Sequence, residues 1–282
     1  MEHRLGPRPV IGILHPGAMG AALGSALKPV AGAVVWAAAG RSHQTAKRAE
    51  LADLVGVPDV AELARRCDVI VSTCPPHAAR EVAEQVAAAI AGRPDPPLFV
   101  EANAVSPDTV RAIGTLLGAA RVVDGVVIGP PAWEPGRSVL WLSGEAAGAV
   151  ADLFAGSPFA AQVLGTELGA ASALKACFTL HSEVRAAIWL QVAAAANRFG
   201  VDEALRGELA RTGVDLAAER SAVAQLVGTT ARRWAAELDE AADAISAIGL
   251  PDGVGRAAAE IYRRVAAGSL PGFPACAQPA AT

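Results

Sequence analysis

Residues 10–27 read VIGILHPGAMGAALGSAL, a short apolar run followed by a glycine-rich turn and a helical stretch of small residues. The run Val10–Leu14 has the length of a buried strand. Gly17 and Gly20 stand at the second and third glycine positions of the pattern G-x-G-x-x-G, and His15 stands at the first. This pattern lets a backbone approach a pyrophosphate closely while the helix packs on the strand. The stretch therefore predicts the first unit of a dinucleotide-binding fold, with an ordinary strand-to-helix turn as the alternative.

The turn is expected to hold the phosphates of a nucleotide at the amino end of the helix. Its candidate cofactor-binding residues are Gly12, His15, Pro16, Gly17, Ala18, Met19 and Gly20. A further candidate contact is Cys74-Pro75, which follows the strand expected at Val69–Ser72. A rigid structural turn is the other interpretation of that dipeptide.

The end of the second expected strand indicates which dinucleotide is bound. NAD-binding proteins carry an acid about 20 residues after the turn, where it bonds the ribose 2′-hydroxyl. Here the chain reads Ala38-Ala39-Gly40-Arg41-Ser42, without an acid. A guanidinium binds phosphate in a forked geometry, so Arg41 and Ser42 favour a 2′-phosphate. The cofactor predicted is NADP(H), and the alternative for Arg41 is an ordinary solvated arginine.

The pattern along the chain predicts the fold. Short apolar runs alternate with helical stretches as far as Gly165, which is typical of a parallel sheet with crossover helices. The expected strands are Val10–Leu14, Ala33–Ala37, Val69–Ser72, Leu98–Glu101, Val122–Val127, Val139–Leu142 and Ala161–Leu164. Beyond Gly165 the chain reads as helices that break at Gly200, Gly213, Gly228 and Gly249–Gly253, the first running from Leu168 to Phe199. We expect an α/β fold, with a Rossmann-type doubly wound, mostly parallel sheet followed by an all-helical C-terminal domain.

These elements divide the chain into three parts. Residues 1–165 are expected to form an NADP-binding Rossmann domain, and residues 166–269 a helical substrate and dimerisation domain. Residues 270–282 contain three prolines and are expected to be a disordered tail.

Composition argues against several classes of partner. The net charge is -4 without a block of like charge, which does not favour nucleic acid. Hydrophobic residues make up 52% of the chain, but no apolar run approaches the roughly 20 residues of a membrane span. Charged residues precede the first apolar run, so we expect no secretory signal and a cytoplasmic location. No zinc or disulfide pattern is formed by Cys67, Cys74, Cys177 and Cys276.

Several motifs resemble the β-hydroxyacid dehydrogenase superfamily, which includes hydroxyisobutyrate and phosphogluconate dehydrogenases and whose fold imine reductases share. The matching motifs are residues 17–20, 101–107 and 124–129 and the lysine at 175. Residues 233–237, 249–251 and 257–262 resemble a phosphogluconate-dehydrogenase-like branch with a short helical C-terminal domain. The resemblance covers nearly the whole chain. It implies an active site in a cleft between the two domains, a small-molecule substrate and usually a homodimer.

The long helix carries the candidate catalytic groups. Ser172, Lys175, Thr179 and Ser182 fall on one face of an otherwise apolar helix. Without the resemblance, a single helical lysine is most often a solvated surface residue. The resemblance implies that Lys175 is the proton donor or acceptor. It also implies catalytic roles for Thr179, where relatives often have asparagine, and for Asn103, which would contact the substrate or the nicotinamide carboxamide.

The expected substrate site departs from the superfamily pattern. Ile128-Gly129-Pro130 replaces a Ser-Gly-Gly segment that grips a carboxylate, and Ala236-Glu237 replaces a Lys-Asp pair. Two tryptophans favour an apolar or aromatic substrate, with simple packing as their alternative role. The candidate substrate-binding residues are Ile128, Gly129, Pro130, Trp133, Ser172, Trp234 and Glu237.

These features predict an NADP(H)-dependent oxidoreductase. It would transfer hydride between nicotinamide and a C=O or CH-OH group of a bulky or weakly anionic substrate. Imine reduction on the same scaffold stays open. A second alternative is a non-catalytic protein that senses NADP(H), which the proton donor at Lys175 disfavours.

Overall fold

A computed structural model describes residues 5–270 of the chain, without the side chains of residue 222 and residues 224–229. It divides into two compact units, one ending at Lys175 and the other beginning at Ala176. This division lies later than the boundary expected at residue 165, because the first turn of the long helix is hydrogen-bonded to the sheet through Ser172. Of the tail expected to be disordered, residues 271–282 lie outside the described residues.

The first unit contains one eight-stranded sheet in the order β3-β2-β1-β4-β5-β6-β7-β8. Its neighbouring strands are parallel except for the antiparallel pair β6 and β7. The order reverses between β1 and β4, which is where doubly wound sheets bind their ligands. The strands are β1 Val10–Leu14, β2 Ala33–Ala37, β3 Val55–Val57, β4 Val69–Ser72, β5 Leu98–Glu101, β6 Val122–Ile128, β7 Ser138–Ser143 and β8 Phe159–Gly165.

Helices cover both faces of the sheet. Alternate residues of β1 divide between two apolar cores, since Ile11 and Ile13 belong to one and Leu14 to the other. This period of two follows from the pleat of a strand. The helices of this unit are α1 Ala18–Leu27, α2 His43–Leu51, α3 Val60–Arg66, α4 Ala79–Ile90, α5 Pro107–Leu117 and α6 Ala147–Leu153.

The second unit is helical. Its central side chain is Tyr262, which is fully buried and donates a hydrogen bond to the carbonyl of Glu183 at 2.7 Å. The tyrosine ring also meets the ring of Trp234 edge to face, with centroids 5.3 Å apart. The helices are α7 Ala170–Phe199, which begins in the first unit, α8 Asp202–Arg211, α9 Leu216–Ala247 and α10 Gly253–Ala266.

The fold class expected from the sequence is confirmed, one strand was missed and one expected helix break is wrong. The edge strand β3 was not expected, because three residues with a central glycine carry no readable alternation. The break expected at Gly228 is absent, since α9 continues through it. A glycine inside a helix costs only about 1 kcal/mol, which a long packed helix absorbs. Among the described helices, none is both long and apolar enough to cross a membrane.

Candidate active site

The glycine-rich turn keeps its backbone shape although its first glycine is replaced. His15 has a φ of 62°, in the left-handed region that favours glycine. Its carbonyl accepts hydrogen bonds from the backbone N–H of Gly17 at 2.7 Å and from Thr73 Oγ1 at 3.0 Å. Thr73, which sequence reasoning missed, also donates to the carbonyl of Leu14. The loop after β4 therefore holds the turn in place.

The three glycines of the turn region have different environments. A Cβ at Gly20 would lie 2.4 Å from Thr73 Oγ1 and 2.8 Å from the carbonyl oxygen of His15. A Cβ at Gly12 would meet Leu63 of α3 at 2.5 Å, so this glycine permits helix packing, and its role in cofactor binding stays a prediction. Gly17 caps α1, and its nearest atom would be 4.0 Å from an added Cβ. Of these three glycines, only Gly17 has no packing requirement, and its role in cofactor binding stays a prediction.

A cavity of about 680 Å³ opens between the end of β2 and the helices α3 and α4. Arg41 lines it, and the buried Nε of this side chain has no hydrogen-bond partner in the part of the chain that the structure describes. Arg65 also lines the cavity but pairs with Glu62 at 2.8 Å. Asp59 caps α3 by accepting from the N–H of Glu62. The cavity wall thus offers one cation, Arg41, for which residues 5–270 show no carboxylate partner.

Two polar atoms near this cavity fit a phosphate. Burial and the charge of Arg41 lower the pKa of His15 to about 4, so its imidazole is neutral at pH 7. The buried Nδ1 of His15 lacks a partner among the described residues, as does Nε of Arg41. Ser42 caps α2 by accepting from the N–H of Thr45 at 3.2 Å, and its hydroxyl also lies 3.1 Å from Thr45 Oγ1, a pair in which either hydroxyl can donate. These donors suit the anionic oxygens of a nucleotide.

A row of buried polar residues crosses the sheet on the other side of the reversal point. Ser72 of β4 pairs in register with Glu101 of β5, Glu101 with Asp124 of β6, and Asp124 with Ser143 of β7. All four side chains are fully buried. We call these four residues the buried polar row. Sequence reasoning missed its two acids as site residues, although an acid in a buried strand is a readable signal because charge is rarely buried without a purpose.

Asn103 is joined to this row. Its Nδ2 donates to Glu101 Oε1, to Ser72 Oγ at 3.3 Å and to the sulfur of Cys74 at 3.4 Å. Its backbone N–H donates to the same Glu101 oxygen at 3.2 Å. Burial and, to a smaller extent, the charge of nearby Asp124 raise the pKa of Glu101 to about 8, although the hydrogen bonds from Asn103 lower it. Burial likewise raises the pKa of the Cys74 thiol to about 11. The exposed Pro75 opens the next turn by accepting from the N–H of Ala78.

The catalytic candidates on α7 differ in their surroundings. Ser172 is buried and bonded to Asp124, so its hydroxyl has a structural partner and its substrate role stays a prediction. Lys175 is half-buried one turn later. Thr179 is buried, and its hydroxyl has no partner within the described residues. The helix therefore carries a cation and an unsatisfied hydroxyl four residues apart on one face.

The substrate candidates of the first unit lie at the end of β6. Ile128 is half-buried, whereas Gly129 and Pro130 are exposed. A Cβ at Gly129, where φ is 128°, would lie 2.4 Å from the carbonyl of Arg137. The nearby hydroxyl of Ser138 donates to the carbonyl of Pro130. This strand end thus presents no side-chain donor at positions 128–130.

The other three substrate candidates are placed differently from one another. Trp133 is 58% exposed and lines a pocket of about 150 Å³ beside Ala22 and Ser25 of α1. Trp234 packs in the core of the second unit, as described above. Glu237 is buried there and pairs with Arg233 at 2.8 Å. Their substrate contacts stay predictions. Residues 5–270 hold no cluster of three or more side chains suited to a metal.

In the comparisons with known proteins, two family models match separate parts of the chain. Residues 10–94 match a family model described as NADP oxidoreductase coenzyme F420-dependent, and residues 196–265 match the domain of unknown function DUF1932. A Methanothermus fervidus protein, described as an uncharacterized 28.5 kDa protein in the 7S RNA 5′ region, is 30% identical over 168 residues. That match covers 59% of this chain and 63% of the relative, less than two thirds of its length.

Solved structures resemble nearly the whole chain. The 3-hydroxyisobutyrate dehydrogenase of Mycobacterium tuberculosis, solved with L-serine, is 20% identical over 93% of this chain and 95% of its own, with a TM-score of 0.68. The chain has the fold of the β-hydroxyacid dehydrogenase superfamily. A reductive aminase of Aspergillus terreus, in complex with NADPH and ethyl levulinate, shares this fold at 18% identity over 94% of this chain and 96% of its own, with a TM-score of 0.55. The resemblance to this superfamily expected from the sequence is confirmed in the fold.

Proposed function

We propose that this protein is an NADP(H)-dependent oxidoreductase that transfers hydride between nicotinamide and a C=O or CH-OH group. The observation that carries the proposal is Arg41, whose buried Nε lacks a partner among the described residues and which lines a cavity of about 680 Å³ at the end of β2. Besides burial, its charge lowers the pKa of His15 in the glycine-rich turn, so the two residues are near each other. A buried guanidinium nitrogen without an acceptor is unfavourable. A phosphate satisfies it in a forked geometry.

The remaining donors support a phosphorylated ribose at this place. The hydroxyl of Ser42 can donate to a phosphate when Thr45 Oγ1 donates to it in turn, and α2 begins directly after Ser42, so the partial positive charge of the helix end is nearby. Burial lowers the pKa of Arg41, which a phosphate would reverse by favouring the charged guanidinium. A diphosphate bound at the turn would meet the N–H groups of α1, whose capping residue Gly17 has no side chain in the way.

The chemistry is divided between cofactor and protein. The bound nicotinamide supplies or accepts the hydride. Lys175 moves the accompanying proton, because an ammonium group on α7 is a suitable acid and its neutral form a suitable base. The Thr179 hydroxyl donates a hydrogen bond to the substrate, and Asn103 orients the ligand through its amide.

The end of β6 supports a bulky or weakly anionic substrate. Positions 128–130 offer no side-chain donor, and the hydroxyl of Ser138 is bonded to the backbone. A small hydroxyacid would therefore lose charge-assisted hydrogen bonds that are worth about 1.5–3 kcal/mol each. Larger substrates recover affinity from apolar contacts, for which Ile128 and Trp133 are the candidates in the first unit.

Imine reduction is the second candidate. The same absence of side-chain donors at residues 128–130 favours it, because an imine or amine substrate needs no carboxylate-binding group. The proton from Lys175 would serve either a carbonyl or an imine. We also expect a homodimer in the cytoplasm.

Paired titrations of the protein with NADPH and NADH test the proposal. Ligand fluorescence should report NADPH binding at least about tenfold tighter than NADH, equivalent to roughly 1.4 kcal/mol. Equal affinities would remove the assignment of Arg41 to a 2′-phosphate. Absence of binding for both ligands would remove the oxidoreductase proposal itself.

A further inference from the structure

The carboxyl group of Glu101 is bonded on one side only. Its Oε1 accepts both the backbone N–H and the side-chain Nδ2 of Asn103. Its Oε2 is buried without a hydrogen-bond partner in the described part of the chain. The residue is fully buried at the end of β5. A carboxylate with one satisfied oxygen and one bare oxygen in an apolar interior is strongly disfavoured, whereas a protonated carboxyl carries no charge.

The groups around Glu101 do not neutralise it. On the β4 side lie Ser72 and the Cys74 thiol, which its raised pKa keeps neutral. On the β6 side lies Asp124, a second acid, whose oxygens accept from Ser172 and Ser143. The helix α7, whose first turn bonds to Asp124, carries Lys175 one turn later. Burial raises the pKa of Asp124 as well, but hydrogen bonds from Ser172 and Ser143 to its two oxygens lower it. Glu101, with one oxygen bare, is therefore the acid of this pair that more readily holds a proton.

Glu101 and Arg41 stand on opposite sides of the point where the strand order reverses. Arg41 follows β2, and Glu101 ends β5, with β1 and β4 between these strands. A dinucleotide spans such a reversal point at the carboxyl ends of the strands. If the 2′-phosphate half binds at Arg41, the nicotinamide half belongs to the side of Asn103 and Glu101. This step rests on the proposed function.

We propose that Glu101 is a positioning residue that carries a proton in the free protein and loses it more readily when the oxidised, cationic form of the cofactor is bound. A positive charge near Asn103 favours the ionised carboxylate, while the neutral reduced ring does not. The ionised carboxylate also holds Asn103 Nδ2 more firmly, since an ionised acceptor forms the stronger hydrogen bond. The amide oxygen of Asn103 is then the atom that can bind a ligand. Because this oxygen only accepts hydrogen bonds, it favours a ligand group that donates one.

The linkage is reciprocal. If the oxidised cofactor favours loss of the proton, then loss of the proton favours the oxidised cofactor by the same factor. As the pH rises through the pKa of Glu101, about 8, the oxidised form should gain affinity relative to the reduced form. The 2′-phosphate and His15 do not change the relative affinity of the two cofactor forms, because both forms have the same adenosine half.

Calorimetric titrations of the full-length protein with NADP⁺ and NADPH between pH 6.5 and 9.5 test the inference. The ratio of the NADP⁺ to the NADPH dissociation constant should fall by about fivefold or more across this range, the lower end of typical coupling between sites. In Glu101→Gln the ratio should stay constant. The matched control is Glu84→Gln, an exposed acid on α4 paired with Arg80, which should keep the dependence of the native protein.

Proton counting keeps the test independent of how well the variant folds. The native protein, titrated at pH 8 in two buffers of different ionisation enthalpy, should release more protons on binding NADP⁺ than on binding NADPH. Tight binding of both forms with a ratio independent of pH and equal proton release would overturn the inference and leave the proposed function standing. A ratio of dissociation constants that still depends on pH in a folded Glu101→Gln variant would overturn the inference as well. Failure of either form to bind would contradict the proposed function, and this inference with it.

Discussion

Ser172 and Asp124 join the long helix to the sheet. The Oγ of Ser172 donates to Asp124 Oδ1 at 2.7 Å, and its backbone N–H donates to Oδ2 at 2.9 Å. The carboxylate lies at the amino end of α7, where the helix dipole favours negative charge. Lys175 follows one turn later, so its backbone is held by β6. A lysine fixed in this way suits proton transfer, which needs a donor in a defined position.

Replacing Lys175 with methionine should lower turnover by about 10²-fold or more, because the side chain keeps its length but loses its proton. The NADPH dissociation constant should change little. Steady-state rates and fluorescence titration of the same preparation give both values. Lys47→Met, at an exposed lysine paired with Glu50, is the control and should keep native rates. A Lys175→Met protein with most of its activity would transfer the proton role to another group.

Gly17 and Gly20 should respond differently to alanine. Gly17→Ala introduces no clash, so the melting temperature should stay nearly native while NADPH affinity falls by about tenfold or more, because the methyl group blocks close approach of the pyrophosphate. Gly20→Ala should lower stability by about 1–3 kcal/mol, since the added Cβ overlaps Thr73 and the carbonyl of His15. Thermal unfolding and ligand titration distinguish these effects. Unchanged affinity in Gly17→Ala would place the cofactor elsewhere.

Arg41→Glu should erase or invert the preference for NADPH over NADH, since a carboxylate repels the 2′-phosphate and accepts from the 2′-hydroxyl. Arg65→Ala is the matched control. It removes a cation from the same cavity wall, but one already paired with Glu62, and should keep most of the preference. Equal loss in both variants would mean that the cavity acts through its total charge rather than through Arg41.

Glu101 should make the free energy of unfolding depend on pH. Its pKa is about 8 in the folded protein against an ordinary 4.5, so the folded state binds the additional proton between these values. The contribution of Glu101 to the free energy of unfolding is therefore largest below the unfolded pKa and is lost as the pH rises through 8. The loss amounts to roughly 2 kcal/mol between pH 6.5 and 8.5. Urea unfolding of the native protein should show this loss and Glu101→Gln should not. The range from pH 6.5 to 8.5 excludes the effect of His15, whose lowered pKa changes the stability only between about pH 4 and 6.5. An equal loss in the variant would assign the effect to another group.

Local patterns were sufficient to predict most of the fold. The strand at Val10–Leu14 and the helix after Gly17 follow from apolar periodicity and glycine placement, which are properties of neighbouring residues. The edge strand β3 has too few residues for a period, and the glycine at 228 shows that one weak helix former does not end a long helix. Packing decides such cases, and packing involves residues that are distant in sequence.

The candidate site was less predictable for the same reason. Arg41 and the turn could be proposed from the sequence because their spacing is local. Glu101 and Asp124 become neighbours only through strand register, and Thr73 reaches the turn only because β4 lies beside β1. Trp133 lines a pocket beside α1, a neighbour that the sequence did not indicate, and its contact with the substrate stays a prediction.

Consumption of NADPH by the native protein tests the central claim most directly. The rate is measured side by side with bulky ketones and aldehydes, with cyclic imines and, in the reverse direction with NADP⁺, with small hydroxyacids. We expect turnover of at least one bulky carbonyl or imine and poor oxidation of hydroxyisobutyrate, tartronate and phosphogluconate. Oxidation of a small hydroxyacid with kcat/KM near about 10⁴ M⁻¹s⁻¹ or above would contradict the substrate assignment from Ile128 and Pro130. Tight NADPH binding without turnover of any substrate would contradict the catalytic claim and favour a protein that senses NADP(H).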